Sequence, residues 1–193
     1  LLRAAAALVA ERPDVRFVVS CHKPAHAERV REILAASGRT LPQFEIHHGR
    51  TPELIRLADL AWAVSGSVSL ELLAEALPTV ILYKVNRLDL LIARPFIRAK
   101  YITLVNLLAD TELMPEYLTP RDVAPDLATW ALRWLSDPAE RERAAGALAV
   151  LRDRVARPGA TERAADRIAA LLASPAPEYR GPHAVPLRSR VES

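Results

Sequence analysis

Along the first half of the chain, apolar positions switch repeatedly between a helical period and short, nearly unbroken runs. VRFVVSC (15–21), FEIHHG (44–49), LAWAV (60–64) and TVILYKV (79–85) are short, apolar and β-rich, and they read as strands. Around them, residues 1–10, 25–37, 51–58 and 67–77 carry apolar residues at helical spacing, the first helix stopping at Glu11-Arg12-Pro13-Asp14. A helix near 88–98 and a short strand ITLV (102–105) continue the alternation. Repeated strand-helix units with apolar strands predict an α/β fold, a Rossmann-like parallel sheet flanked by helices on both faces. After Asn106 the β signal stops, and helices are expected at 111–118, 123–136, 138–156 and 160–173. From Ser174 onward the chain is rich in proline and has no apolar period, so a domain over 1–173 and a flexible tail over 174–193 are expected.

With 193 residues, 51% of them hydrophobic, the chain can bury the core of one good-sized domain. No apolar run approaches the roughly 18 residues of a membrane span, and no basic-then-apolar leader opens the chain, so a cytoplasmic protein is expected. The lone cysteine, Cys21, agrees with a reducing compartment. A net charge of +3 is small, and arginine alternates with Glu and Asp through 137–167 as on a solvated helical face. No nucleic-acid partner is expected. One stretch differs, because Lys84, Arg87, Arg94, Arg98 and Lys100 stand against Asp89 alone while flanking Leu88, Leu91 and Ile92. Such a segment suits an anionic lipid surface or a phosphorylated head group, and it equally suits a sheet-covering helix with its arginines in water.

Candidate chemistry centres on VSGSVSLELLAEALPTVILYK (64–84), in which Ser65-Gly66-Ser67 separates a strand from a helix in a chain with only 6 glycines. In a doubly wound sheet, ligands bind beyond the carboxyl ends of the strands, where helix N-termini present free N–H groups. Gly66 would let the backbone approach a phosphate, Ser65 and Ser67 could donate hydroxyl hydrogen bonds, and Glu71 could accept from a ribose diol. The same residues also make a serine-capped helix whose Glu71 complements the dipole. Cys21, His22, His26, His47 and His48 fit no closed zinc spacing, so no metal is expected. Neither a Ser-His-Asp order nor a Walker A or GxGxxG sequence is present.

Three blocks in order, VSGSVSLELLAEALPTVILYK, LIARPFIRAKYITLVNLLA and ELMPEYL, resemble the carboxyl-terminal half of the lipid-A-disaccharide synthase family of GT-B glycosyltransferases. The resemblance covers about residues 1–173. It implies the nucleotide-sugar-binding half of a GT-B fold, with an amino-terminal domain outside this chain supplying the acceptor site and the base. It implies transfer of 2,3-diacylglucosamine from UDP-2,3-diacylglucosamine to 2,3-diacylglucosamine 1-phosphate, releasing UDP, with no cofactor. The implied location is cytoplasmic, peripheral on the inner membrane, and a homodimer is admitted. Ser65, Gly66, Ser67, Glu71 and Asn106 fall on the family's donor-site positions, and Arg94 to Lys100 on its basic helix; from the charge of that segment, Arg94, Arg98 and Lys100 are the expected lipid or phosphate contacts. The chain departs from the family where Asp110-Thr111-Glu112 replaces Gly-Arg-Glu and where Thr119 replaces glutamine. Those departures keep in view a non-catalytic relative that binds a nucleotide sugar or lipid, and the fold keeps in view a UDP-sugar epimerase-like domain.

Overall fold

The computed structural model describes residues 1–38, 44–64, 66–86, 100–156 and 159–173. The chain divides into two compact units, Leu1–Ala156 and Arg157–Ser193. In the first, α1 (Leu2–Glu11), β1 (Phe17–Cys21), α2 (Pro24–Ala36), β2 (Phe44–His48), α3 (Thr51–Leu57), β3 (Ala61–Val64), α4 (Val68–Ala74) and β4 (Thr79–Lys84) follow the expected alternation. Next come α5 (Leu104–Ala109), β5 (Glu116–Thr119), α6 (Ala124–Ser136) and α7 (Pro138–Val155). The second unit contains α8 (Ala160–Ala173), none of whose residues is buried. The expected helix at 88–98 and the tail at 174–193 lie outside the described residues.

Every strand pairing among the described residues is parallel. One ladder joins β1 to β2, and in the other β4 lies between β3 and β5. Phe17 of β1 packs on Phe44 of β2 and on Trp62 of β3, with ring centroids 5.3 and 6.1 Å apart, so aromatic contact links the two ladders. β4 shows why helices cover both faces. Its residues alternate sides with period two, so Ile81 enters one core with Ile55, Leu72, Leu77, Met114 and Leu148, and Val80 enters another with Ala4, Leu127 and Trp134. Each fully buried Leu, Ile, Val or Met among them contributes about 1.5–3 kcal/mol. Helices α3, α4, α5 and α7 thus line one face, and α1 and α6 the other. Trp130 Nε1–H donates to the Tyr117 hydroxyl at 3.0 Å, tying α6 to β5, while burial pushes the phenol above its ordinary pKa and this hydrogen bond opposes the rise.

Two expected elements are corrected. ITLV is not a strand: Thr103 is the extended N-cap of α5, its hydroxyl accepting the Asn106 N–H at 3.3 Å, and Leu104 already begins the helix. Residues 111–118 are not a helix, since Pro115 disfavours helical backbone at Met114 and the chain then runs as β5 along the free side of β4. The Ile81 N–H donates to the Pro115 carbonyl at 2.8 Å, opening that ladder.

Helix α4 ends in a six-residue hydrogen-bonded turn. The Leu77 N–H reaches the Leu72 carbonyl at 3.0 Å and the Ala76 N–H the Leu73 carbonyl at 2.9 Å, while Leu72 and Leu77 share the same core. Ala76 occupies the left-handed position of this turn, at φ 50°. Left-handed alanine costs roughly 1–2 kcal/mol, partly offset by the roughly 0.4–1 kcal/mol of unfolded-chain entropy that glycine restores. Ala76→Gly therefore raises the thermal midpoint by about 1–4 °C, for a net gain near ~0.5–1 kcal/mol. A midpoint lowered by this substitution in a calorimetric scan would contradict that account.

Candidate functional site at the carboxyl edge of the strands

Because every strand pairing is parallel and helices follow the strands, the turns leaving β1, β2 and β3 open at the carboxyl ends of their strands. Beyond β3 the chain passes through Gly66, whose φ of +147° is open to glycine and strained for other residues. Ser65 lies outside the described residues. Ser67 has helical backbone and makes no capping hydrogen bond with its side chain. The turn is fastened instead by Ser69, a residue the sequence reading passed over. Its hydroxyl donates to the Gly66 carbonyl at 3.1 Å, and its N–H reaches the same oxygen at 3.2 Å. A serine three residues after the glycine was the available signal.

Glu71 stands in the first turn of α4, exposed, with neither hydrogen bond nor ion pair among the described residues. Val64, the last residue of β3, is level with Leu82, and Lys84, the last of β4, is level with Thr119, the last of β5. Gly66, Lys84 and Arg121 are exposed along this edge, and Thr119 is half-buried.

Asn106 is brought elsewhere. It is fully buried, and its amide is saturated by the chain: Nδ2 donates to the Met114 carbonyl at 2.7 Å and to Glu116 Oε2 at 3.2 Å, and Oδ1 accepts from the N–H groups of Leu113 and Met114, both at 2.9 Å. Glu116 in turn accepts the Ile102 and Thr103 N–H groups at 2.7 and 2.8 Å. This hub pins the start of α5 to the start of β5, three residues or about 10 Å below the carboxyl edge. No hydrogen-bonding capacity of the Asn106 amide is left for a ligand.

The family departures acquire a structural meaning here. Asp110 ends α5 in the left-handed conformation, at φ 54°, where glycine is the relaxed residue. Asparagine and aspartate tolerate that conformation better than most, so the backbone path survives the change and the lost guanidinium at Thr111 is the chemical difference. Lys100 is exposed, its ammonium 4.8 Å from the Tyr101 ring centre and 4.0 Å from Asp110; Tyr101 first and Asp110 second hold it above its ordinary pKa. Arg94 and Arg98 lie outside the described residues. Cys21 is buried and His22, His26 and His48 are exposed, while His47 Nε2 lies 3.7 Å from Glu45. Among the described residues, no helix is long and apolar enough to cross a membrane.

Parallel strands, helices on both faces and a glycine turn beyond the strand ends define a Rossmann-like α/β domain, of the kind that forms the halves of GT-B glycosyltransferases. Residues 1–152 match the family model described as lipid-A-disaccharide synthetase, and the chain belongs to that family. It is 34% identical over 173 residues to the lipid-A-disaccharide synthase of Anaeromyxobacter dehalogenans strain 2CP-C, covering 89% of this chain and 44% of that protein. The enzymes of the same name from Pseudomonas syringae pv. tomato and Geobacter sulfurreducens are 31% and 28% identical over 172 residues, again over 89% of this chain. The chain thus spans less than half the length of these relatives.

Proposed function

We propose that this chain is the donor-binding part of a lipid-A-disaccharide synthase. The reaction is transfer of 2,3-diacylglucosamine from UDP-2,3-diacylglucosamine to the 6-hydroxyl of 2,3-diacylglucosamine 1-phosphate. The acceptor oxygen attacks the anomeric carbon with inversion, the bond from that carbon to the diphosphate oxygen breaks, and UDP leaves. The acceptor proton passes to a base outside this chain. What this domain contributes is a place for the leaving diphosphate and the ribose, so that charge developing on the diphosphate meets prearranged donors and cations.

The observation that carries the reading is an exposed glycine turn, followed by a carboxylate without a partner among the described residues, at the carboxyl edge of a parallel sheet within the family-matched residues. Glu71 accepts the ribose hydroxyls; Ser65 and Ser67 stand beside the phosphates; Asn106 acts from below by holding α5. The enzyme works on the cytoplasmic face of the inner membrane, where the basic stretch 84–101 and the exposed Leu104, Leu107 and Leu108 of α5 meet lipid. A non-catalytic relative that keeps the donor site is the second reading, favoured by the uncharged Thr111.

A titration with UDP followed by amide chemical shifts tests the donor site. Shifts are expected at residues 66–71 without added Mg²⁺. Glu71→Ala costs roughly 1.5–3 kcal/mol of UDP affinity, as for a hydrogen bond to a charged acceptor, and unchanged affinity removes Glu71 from the site.

A further inference from the structure

The two ladders do not form one hydrogen-bonded sheet. Among the described residues β1 pairs with β2 alone and β3 with β4 alone, so each keeps one edge of backbone N–H and C=O groups without a strand partner. Phe17 of β1 reaches both Phe44 of β2 and Trp62 of β3, which puts β1 next to β3 and turns their two open edges toward each other. Strands with room for one more between them stand about 10 Å apart, twice the usual spacing. Two large rings leaning together, 6.1 Å between centroids, span such a gap where backbone hydrogen bonds cannot.

The strands flanking the gap have the sequence of interior strands without the burial. Parallel sheets are covered on both faces, and their inner strands are apolar throughout. β1 begins FVV and β3 is AWAV, yet Val18 and Val64 are 45% and 59% exposed, whereas Val80 and Ile81 of β4, which has a strand on each side, are fully buried. The indole N–H of Trp62, whose ring leans into the gap, is buried with no acceptor among the described residues. An open strand edge is a template for another strand, and two that face each other can be satisfied by one strand between them.

The path of α1 indicates which segment that strand is. Arg3, near the start of α1, pairs with Asp122 just ahead of α6, and Arg12, past the end of α1, donates to the Leu135 carbonyl near the end of α6 at 3.2 Å. α1 therefore runs alongside α6, from the carboxyl edge of the sheet down to the start of β1. A chain entering α1 arrives at the carboxyl edge, where a strand rising parallel to β3 delivers it. The hand also fits: α4 joins β3 to β4 on one face, and α1 would join the added strand to β1 in the opposite direction on the opposite face. Both crossovers then share one hand, as the right-handed rule for parallel strands requires. The Anaeromyxobacter dehalogenans relative has ample chain outside the matched part, which is 44% of its length.

We propose that the segment of the full-length protein immediately before Leu1 is a β-strand that inserts between β1 and β3, parallel to both, and joins the two ladders into one sheet. The order across that sheet is β2, β1, the inserted strand, β3, β4, β5. What the gap recognises is an apolar run of about five or six residues that offers backbone N–H and C=O groups to both edges and ends in a short turn into α1. This inference is independent of the donor-site reading.

The test compares the 193-residue chain with the same chain carrying the residues its gene encodes ahead of Leu1, about 15 of them, enough for a strand and a turn. Amide hydrogen exchange is the readout. In a parallel strand alternate residues point their N–H groups to opposite sides, so the slot-facing amides are every second one of β1 and of β3. These exchange at least tenfold more slowly in the extended chain, while the outer amides of β2 and β5 change less than threefold. A proline in the middle of the added strand returns the β1 and β3 amides to the rates of the 193-residue chain, because it removes a donor and cannot sit in a central strand. Equally fast exchange in both chains overturns the proposal. Equally slow exchange in both overturns it too, since another part of the chain or a second copy then occupies these edges. Slowing at the outer edge of β2 or β5 instead, or slowing that survives the proline, shows that the added residues act elsewhere and likewise overturns it.

Discussion

Asn106→Ala lowers the stability of the Leu1–Ala156 unit by about 4 kcal/mol, enough to shift the thermal midpoint by about 10 °C. The size follows from what the side chain holds. Its amide serves the N–H groups of Leu113 and Met114, the Met114 carbonyl and the Glu116 carboxylate. Each buried group left without a partner costs about 1–3 kcal/mol, and the truncated side chain leaves a void beside Met114 and Val105, which are fully buried. A loss of this kind is a large part of the 5–15 kcal/mol that typically holds a domain folded. Asn106→Asp does comparable damage at neutral pH, because a carboxylate replaces the donor that now meets Glu116 at 3.2 Å. Chemical denaturation of the two variants measures the effect. A loss below about 1.5 kcal/mol would show that water takes over these hydrogen bonds, and the hub would then not be what holds the 110–116 turn.

Disaccharide synthesis by this chain alone is expected to be undetectable even where UDP binds. A GT-B reaction takes place between two domains, and one half cannot hold the acceptor hydroxyl in line with the anomeric carbon. Loss of such positioning forfeits up to about 7–11 kcal/mol of barrier reduction, and the general base is lost with it. The assay supplies labelled UDP-2,3-diacylglucosamine and 2,3-diacylglucosamine 1-phosphate to the chain alone, then to the chain mixed with the amino-terminal half of a full-length relative. Product from the chain alone would place the acceptor site and base here after all. If a folded, associated pair that binds UDP stays inactive, the non-catalytic reading gains, and Thr111→Arg becomes the substitution to examine for recovery.

How much of this was legible beforehand differs from element to element. The strands of the first 85 residues could be read because they are short apolar runs bounded by turn residues, and the helices between them because their apolar spacing has one period. The turn at Gly66 was legible for the same reason, as a scarce glycine at a strand-to-helix junction. Its fastening by Ser69 was not, since a hydroxyl donating back to a carbonyl leaves no mark on hydrophobic pattern. Nor could the sequence tell that Lys84 stands level with Thr119, because register is a relation between strands.

Between Ile102 and Thr119 local pattern misled. An apolar run such as ITLV has no intrinsic preference strong enough to choose strand over helix, and the choice fell to Thr103, whose hydroxyl caps α5. EYLT became a strand because β4 had an unpaired side to receive it, a fact about the sheet and not about those four residues. Asn106 shows the same division. Its polarity and its family position suggested a ligand contact, whereas only the folded chain brings Leu113, Met114 and Glu116 around it and consumes its amide. By itself, then, the sequence determined the α/β alternation, the glycine turn and the basic bias after β4, all of which depend on residues close together along the chain. The tertiary structure decided which polar groups are used internally and which are left free among the described residues, because each hydrogen bond and each free charge depends on partners far apart in sequence.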